Sequence, residues 1–300
     1  MSPLVLPLPG NEALAVKLSA TIRGDVGELT VRRFPDGESY VRLRSSPQGR
    51  AVVVVASLDK PDPKFIPLLL VLETARELGA RSVGLVSPYL CYMRQDRRFQ
   101  EGEAISARVF PRLIARSLDW LVTVDPHLHR ITDLSEVYPV PARIVHAAPV
   151  VAAWIAKEVK KPLLIGPDSE SEQWVVDVAR HAGAPFVILE KVRRGDRDVE
   201  ISVPDVTRWR EHTPVLVDDI ISTGRTMVET LGHLRRAGMR AAVCVGVHGL
   251  FAPRALEELR AAGAATLVTC DSVTHATNEI DLSAALAAAT VEMLRPAEPA

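Results

Sequence analysis

Cysteine is scarce in this sequence: the 300 residues include only Cys91, Cys244 and Cys270, which lie far from one another. Two of the three sit within apolar stretches, so buried thiols in a reducing cytoplasm are favoured over disulfides or a cysteine-bound metal. Long apolar runs are also missing, and none approaches the length of a membrane span. The first ten residues contain three prolines and no basic residue, which is not typical of a signal peptide. These absences predict a cytoplasmic protein that is not associated with membranes.

An excess of charge of either sign is absent as well, because 36 basic side chains stand against 37 acidic ones. This balance creates no field that would attract nucleic acid or an anionic membrane, so neither is expected as a partner. A charged ligand must therefore be bound by groups gathered locally. With 47% hydrophobic residues the chain can form a sizeable core, and its length predicts two domains of about 150 residues each.

One local pattern recurs along the chain: a helical segment ends at a glycine, and an apolar strand follows after two or three residues. The four glycines are Gly79, Gly183, Gly238 and Gly263. Glycine supplies the left-handed conformation that ends a helix, and strands alternating with such helices form mainly parallel sheets flanked by helices. Strands are predicted at residues 51–56, 83–86, 121–124, 144–146, 163–165, 186–189, 215–217, 241–245 and 266–269. The fold class is α/β, and a proline-containing crossing segment at 137–143 predicts two domains, 1–146 and 147–300.

The most informative segment follows the strand at 215–217 and precedes a helix expected to begin near Met227. It reads Asp218-Asp219-Ile-Ile-Ser222-Thr223-Gly224-Arg225-Thr226. Backbone N–H groups of residues 222–226 at a helix N-terminus can bind a phosphate dianion, together with the neighbouring hydroxyls. Asp218 and Asp219 would repel that phosphate, so their expected partners are the vicinal hydroxyls of a sugar or a divalent metal. Simple helix capping and turn formation is the alternative.

Two charged segments follow other predicted strands. Arg94-Gln95-Asp96 lies beyond the strand at 83–86, where α/β proteins bind ligands, and arginine is suited to bidentate phosphate contact. A solvated loop is the alternative. The second segment, residues 190–198, follows the strand at 186–189. It is either a flap whose Lys191 and Arg193 neutralise charge on transferring phosphoryl groups, or a mobile surface hairpin.

Two further segments carry groups that suit a divalent metal. Asp125-Pro-His127-Leu-His129 follows the strand at 121–124, and Asp168-Ser-Glu170 follows the strand at 163–165. Carboxylate oxygen and imidazole nitrogen are plausible ligands for a divalent ion. An ion that is held by few protein groups and also contacts substrate phosphates would be Mg²⁺. A purely structural histidine is the alternative.

Residues 34–38, Phe-Pro-Asp-Gly-Glu, lie between two weaker strand signals and alone predict only a hairpin turn. Taken in order with other segments, however, they complete a set that resembles the ribose-phosphate diphosphokinase family, the synthases of phosphoribosyl diphosphate. The set comprises residues 34–38, 88–96, 101–107, 125–127, 166–168, 191–193, 218–226 and 247–251. Phosphoribosyltransferases share the loop at 218–226 but lack the tandem layout and the Arg94-Gln95-Asp96 segment.

The resemblance implies two phosphoribosyltransferase-like domains in tandem. It implies Mg²⁺-dependent transfer of diphosphate from ATP to the anomeric hydroxyl of ribose 5-phosphate, with release of AMP. A homo-oligomer is also implied, with a dimer as the smallest unit and a nucleotide site at the subunit interface. The implied residue roles are adenine binding by Phe34, Asp36 and Glu38; nucleotide binding by Arg94, Gln95 and Asp96; metal binding by His127 and Asp168; catalysis by Lys191 and Arg193; ribose-hydroxyl binding by Asp218 and Asp219; and 5-phosphate binding by Ser222, Thr223, Gly224, Arg225 and Thr226.

The chain departs from the bacterial form of this family at two places. Ser222 stands where an acidic residue is common, and Pro61-Asp62 stands where Asn-Asp is common, which places the chain closer to the archaeal branch. Arg225 either adds a phosphate contact or points to solvent. Two other functions stay open: a phosphoribosyltransferase that uses a nitrogenous base, and a non-catalytic nucleotide-sensing homologue.

Overall fold

The computed structural model describes residues 1–128, 130–166, 172–193, 199–202 and 207–295. The chain forms two compact units. The first contains Met1–Val145 together with the C-terminal segment that starts at Ser283, and the second contains His146–Leu282. None of the described helices is long and apolar enough to span a membrane. All three cysteines are free and buried, as predicted.

The first unit is built on a six-stranded sheet. Its elements are β1 (Leu4–Pro7), α1 (Glu12–Ile22), β2 (Asp25–Val26), β3 (Leu29–Arg33), β4 (Ser39–Leu43), β5 (Ala51–Val55), α2 (Asp62–Glu77), β6 (Ser82–Ser87), α3 (Ser106–Ile114), β7 (Trp120–Val124) and β8 (Ala142–Val145), with single 3₁₀ turns at Ala115–Ser117 and Leu134–Glu136. The sheet order is β2-β1-β5-β6-β7-β8 and every pair is parallel. β5 and β7 are buried along their whole length. β3 and β4 form a separate antiparallel hairpin that contacts α2.

The second unit repeats this architecture. Its elements are α4 (Ala148–Glu158), β9 (Pro162–Gly166), α5 (Glu172–Ala182), β10 (Phe186–Ile188), β11 (Glu190–Arg193), β12 (Val199–Ser202), a 3₁₀ turn (Thr207–Trp209), β13 (Thr213–Ile221), α6 (Arg225–Arg236), β14 (Ala242–Gly249), α7 (Ala255–Ala262), β15 (Ala264–Cys270) and β16 (Asn278–Ile280). The sheet order is β10-β9-β13-β14-β15-β16, again parallel throughout. β11 and β12 form a separate antiparallel hairpin.

The predicted fold class is confirmed: two parallel sheets are flanked by helices. The four glycines of the repeated pattern adopt positive φ angles, namely 86° at Gly79, 61° at Gly183, 70° at Gly238 and 113° at Gly263. Each therefore has the left-handed backbone that ends a helix and returns the chain toward the sheet. The hairpin at 34–38 was also correctly predicted, with β3 and β4 on either side.

Two boundaries differ from the sequence-based expectation. α8 (Ser283–Leu294) was assigned to the second domain, but it packs on α1, β7 and β8 of the first unit. β13 was expected to end at Val217, but it continues to Ile221. β14 remains paired with this extension, in register Ile220 to His248, whereas the pairing with β9 stops at Leu216. Among the described residues this part of β13 pairs with a neighbour on one side only, so it can carry charged residues.

Candidate active site

The sugar-phosphate loop begins inside the extended part of β13. Asp218 and Asp219 are half-buried there, and the Asp219 N–H donates to Asp218 Oδ1 over 3.0 Å. The next residues leave the sheet at its carboxyl edge, which is where parallel α/β sheets bind ligands. Two carboxylates thus lie at the start of the loop, as the sequence indicated, but on the strand and not beyond it.

The loop ends in the N-terminus of α6, which begins at Arg225 and not near Met227. Gly224 is the N-cap residue with φ 67° and ψ 8°, and its carbonyl accepts the Val228 N–H over 2.8 Å. The Ser222 carbonyl accepts the Ala252 N–H over 3.1 Å, which fixes the start of the loop. Within the described part of the chain, no group accepts a hydrogen bond from the N–H groups of residues 223–227. These donors, at the positive end of the helix dipole, can hold an anion.

A polar cluster to which the sequence analysis gave no role lies at the same edge of the second sheet, and part of it belongs to the 247–251 segment of the family resemblance. The Ser272 hydroxyl donates its single hydrogen to the Val247 carbonyl over 2.8 Å. Ser272 Oγ therefore accepts a hydrogen bond from His248 Nδ1, which lies 2.9 Å away and carries the ring proton. His248 is buried and lies opposite Ile220 in the sheet. The ring of His275 packs on Phe251, with ring centroids 4.7 Å apart. The polar run at 272–278 after β15 was the available sequence signal for this cluster.

The predicted flap is an antiparallel hairpin. Lys191 and Arg193 are alternate residues of β11, in register with Ile201 and Val199 of β12. Residues 194–198 between the strands lie outside the described residues. The hairpin follows β10, an edge strand of the second sheet. A catalytic flap and a surface hairpin without a catalytic role would have this same backbone. The catalytic role of Lys191 and Arg193 therefore stays a prediction.

In the first unit, the β3–β4 turn displays its aromatic and acidic residues. Phe34 is 40% exposed, and its ring meets that of Tyr40 edge-on at 5.9 Å. The Arg32 guanidinium lies 4.6 Å from the Phe34 centroid and 4.1 Å from the Tyr40 centroid. Asp36 Oδ1 accepts the Glu38 N–H over 3.1 Å, which tightens the turn. Phe34 therefore offers a partly stacked aromatic surface whose orientation Arg32 restricts.

The Arg94–Asp96 segment is held by hydrogen bonds from two sides. Asp96 accepts from Arg130, at 3.1 Å from Nη1 to Oδ1 and 3.3 Å from the backbone N–H to Oδ2. Gln95 Nε2 donates to Glu103 Oε2 over 3.0 Å. Glu103 also accepts the N–H groups of residues 100 and 99, and these bonds, followed by the one from Gln95, lower the pKa of its carboxyl. Arg94 is exposed.

The loop after β7 has an unusual backbone. Asp125 and His127 have φ angles of 29° and 53°, which non-glycine residues adopt at a cost. The His127 N–H donates to the Asp125 carbonyl over 2.8 Å. Arg130 connects this loop with Asp96, so two predicted segments of the first unit are brought together. Asp168 and His129 lie outside the described residues, and elsewhere no three His, Cys, Asp or Glu side chains form a metal-binding group.

Comparison with known proteins bears on both units. Residues 4–117 match the family model of the N-terminal domain of ribose phosphate pyrophosphokinase, and residues 136–285 match the phosphoribosyl transferase domain. A ribose-phosphate pyrophosphokinase from Sulfurisphaera tokodaii is 35% identical over 262 residues, which are 85% of this chain and 88% of the relative. One from Methanopyrus kandleri is 33% identical over 288 residues, 95% and 98% of the two chains. These relatives are archaeal, as the sequence analysis expected.

The fold has a solved counterpart. The crystal structure of phosphoribosylpyrophosphate synthetase from Mycobacterium smegmatis superposes with a TM-score of 0.85 at 22% identity, covering 98% of this chain and 99% of that one. Such a likeness establishes the two-domain phosphoribosyltransferase-type fold. The family follows from the sequence matches, which extend over both units. The chain therefore belongs to the ribose-phosphate pyrophosphokinase family.

Proposed function

We propose that the protein transfers diphosphate from ATP to the anomeric hydroxyl of ribose 5-phosphate, giving 5-phosphoribosyl 1-diphosphate and AMP. The observation that carries this proposal is the β13–α6 loop in a chain of this family. A carboxylate pair is followed within ten residues by a helix N-terminus whose five N–H groups have no hydrogen-bond acceptor among the residues that the structure describes. This arrangement fits the two ends of a phosphorylated pentose, its hydroxyls and its phosphate.

The proposed reaction begins with binding of ribose 5-phosphate at this loop. N–H groups at residues 223–227 bind the 5-phosphate, with Ser222, Thr223 and Thr226 adding hydroxyl donors. Asp218 and Asp219 accept hydrogen bonds from the ribose hydroxyls. Arg225, exposed in the first turn of α6, is available to the same phosphate. The anomeric hydroxyl is thereby fixed for attack, which contributes positioning rather than a covalent step.

The nucleotide is assigned to the first unit. Phe34 stacks on the adenine, while Asp36 and Glu38 read its edge, and Arg94–Asp96 hold the rest of the nucleotide. The 40% exposure of Phe34 supports this role, because a base can cover the free part of the ring. We further propose a homodimer as the smallest active unit, with this hairpin serving a nucleotide site at the subunit interface, and a cytoplasmic location.

The anomeric oxygen attacks the β-phosphorus of ATP, the bond from that phosphorus to the α,β-bridging oxygen breaks, and AMP leaves. The hydroxyl proton is released in the same step. Charge grows on the transferring group, and Lys191 and Arg193 of β11 are assigned to neutralise it. Transfer of this kind depends on positioning and electrostatics.

Mg²⁺ is the proposed cofactor, held by His127 and Asp168. Mg²⁺ is usually bound by only one or two protein groups, and its other coordination positions are taken by substrate phosphates and water. A site with few protein ligands in the described loop fits this preference. The ion, when bound, would supply charge neutralisation on the phosphates. The backbone strain at Asp125 and His127 is consistent with a loop shaped for ligand contact.

One assay tests the proposal directly. The protein is incubated with ribose 5-phosphate, ATP and Mg²⁺, and the products are identified by chromatography and phosphorus NMR. AMP and phosphoribosyl diphosphate in equal amounts are expected. Formation of ADP would mean transfer of the γ-phosphoryl group instead. Nucleotide binding without turnover would identify a non-catalytic homologue and refute the proposed activity.

A further inference from the structure

Residues that adjoin the two proposed nucleotide-binding segments of the first unit donate hydrogen bonds to the first turn of α2. On the hairpin side, Arg33 donates from Nη1 to the Gly37 carbonyl over 3.1 Å and from Nη2 to the Pro63 carbonyl over 3.2 Å. One guanidinium thus spans from the β3–β4 turn to α2. Arg33 is exposed and forms no ion pair with any residue that the structure describes.

On the other side, the Tyr92 hydroxyl donates to Asp62 Oδ1. Tyr92 lies two residues before Arg94, and its φ of 62° turns the chain sharply at that point. Its ring packs on Phe110 of α3 at a centroid distance of 5.0 Å, so the ring does not depend on the hydroxyl for its place. The bond to Asp62 raises the pKa of the Tyr92 phenol to about 12, which keeps it a donor at any assay pH.

The space between the hairpin and α2 makes these bonds important. A cavity of about 420 Å³ lies there, lined by Arg33, Gly37, Glu38, Ser39, Asp62, Pro63, Ile66 and Pro67. Packed side chains fix the distance between two elements, but a cavity of this size cannot. The Arg33 bonds therefore add to the contact of β4 with α2 and hold the β3–β4 turn on the cavity side.

We propose that Arg33, Asp62 and Tyr92 are positioning residues that hold the two nucleotide-binding segments on the first turn of α2. Together with Pro63 they are called the α2 bridge. Arg33 acts on the turn that carries Phe34, and Tyr92 acts on the segment that begins at Arg94. This inference rests on the proposed function, because it takes both segments to bind nucleotide.

The two arms of the α2 bridge predict different kinetic effects. Arg33→Ala is expected to raise KM for ATP about three- to tenfold, the factor expected from loss of the one bond that joins the turn to α2. It is also expected to reduce the differences in kcat/KM among ATP, GTP and CTP. Tyr92→Phe is expected to raise KM for all three nucleotides by a similar factor and leave their ratios unchanged. Neither variant should change kcat or KM for ribose 5-phosphate by more than about twofold.

Matched variants separate positioning from general destabilisation. Tyr138→Phe removes a phenol hydroxyl that is also in the first unit and has no hydrogen-bond partner within the described chain, so it should change no kinetic constant. Asp62→Asn keeps an acceptor oxygen for Tyr92 and should stay closer to the wild type than Asp62→Ala. Urea unfolding of every variant checks that the midpoints agree.

The outcomes are distinct. Absence of AMP formation by the wild type refutes the proposed function. If the wild type is active but Arg33→Ala and Tyr92→Phe leave KM and kcat/KM for the nucleotides unchanged, the α2 bridge is refuted and the proposed function stands. Equal losses for ATP and ribose 5-phosphate in these variants refute it too, because a positioning role in the nucleotide site affects one substrate only.

Discussion

Replacement of Gly224 by alanine adds one methyl group to the loop that is proposed to bind phosphate. Gly224 has φ 67° at the start of α6, and a Cβ built there would lie 3.1 Å from Leu259 Cδ1, 3.2 Å from Cγ and 3.4 Å from Cδ2. Three atoms of one side chain face the new methyl group, so Leu259 must shift by a few tenths of an ångström to admit it. Leu259 is fully buried and cannot move toward solvent.

The chain supplies a matched control at the other end of the same helix. Gly238 has φ 70°, and a Cβ there would meet nothing within 4 Å. Left-handed backbone costs a non-glycine residue about 1–2 kcal/mol, so Gly238→Ala should lower the free energy of unfolding by that amount. Gly224→Ala adds crowding of a packed side chain, which typically costs about 1–3 kcal/mol. We expect about 2–5 kcal/mol in total for Gly224→Ala.

Function should separate the two variants further. Any shift of the loop moves the N–H groups of residues 223–227, so KM for ribose 5-phosphate should rise at least about tenfold in Gly224→Ala and stay unchanged in Gly238→Ala. Urea denaturation and initial-rate kinetics measure both effects. In a Leu259→Ala background, Gly224→Ala should cost only the left-handed term. Equal destabilisation by the two glycine variants, or an unchanged KM in Gly224→Ala, would refute the reasoning.

Three other predictions concern the remaining segments. Lys191→Ala and Arg193→Ala should each lower kcat about 10²–10³-fold with KM for ATP changed only severalfold. Lys160→Ala, which replaces an exposed lysine outside the proposed site, should change neither constant. Single-turnover rates near the wild-type value in the first two variants would show that the flap takes no part in catalysis. His127→Ala and Asp168→Ala should raise the Mg²⁺ concentration that activity requires and weaken the binding of ATP more than that of ribose 5-phosphate. Asp219→Ala should weaken the binding of ribose 5-phosphate more than that of ATP. Equal losses of affinity for both substrates in binding titrations would contradict separate subsites. Because the pKa of Glu103 is lowered from its usual 4.5, the stability that its hydrogen bonds give is complete above pH 4.5 and is lost as the pH falls through the lower folded value. The difference in ATP affinity between the wild type and Glu103→Gln, measured by calorimetry, should therefore be full at neutral pH and shrink only on acidification below pH 4.5. Equal affinities of the two proteins at neutral pH would count against the role of Glu103.

The sequence predicted best those features that depend on neighbouring residues. The four helix-ending glycines follow from one local rule, since a positive φ is accessible to glycine, and the structure places all four there. The β3–β4 hairpin likewise follows from its Asp-Gly turn. The family resemblance rested on ordered motifs, and the comparisons confirm it.

Features that depend on distant partners could not be predicted. β13 extends through Asp218 and Asp219 because β14 pairs with it there, and no local signal reveals that partner. β1 was missed because its apolar residues stand between prolines, although Leu4–Pro7 pairs with all of β5 except its first residue. The links of Asp96 with Arg130 and of Asp62 with Tyr92 join segments 30 or more residues apart.

The packing of α8 on the first unit bears on the order in which the protein folds during synthesis. The second unit is one continuous stretch, residues 146–282, and is complete once its last strand has left the ribosome. The first unit must wait for α8, whose Leu286, Ala287 and Thr290 are buried. Domains usually fold in the order of their synthesis. Here the unit that is translated first is completed last, and until then the surfaces of α1, β7 and β8 that α8 covers remain exposed to other nascent chains.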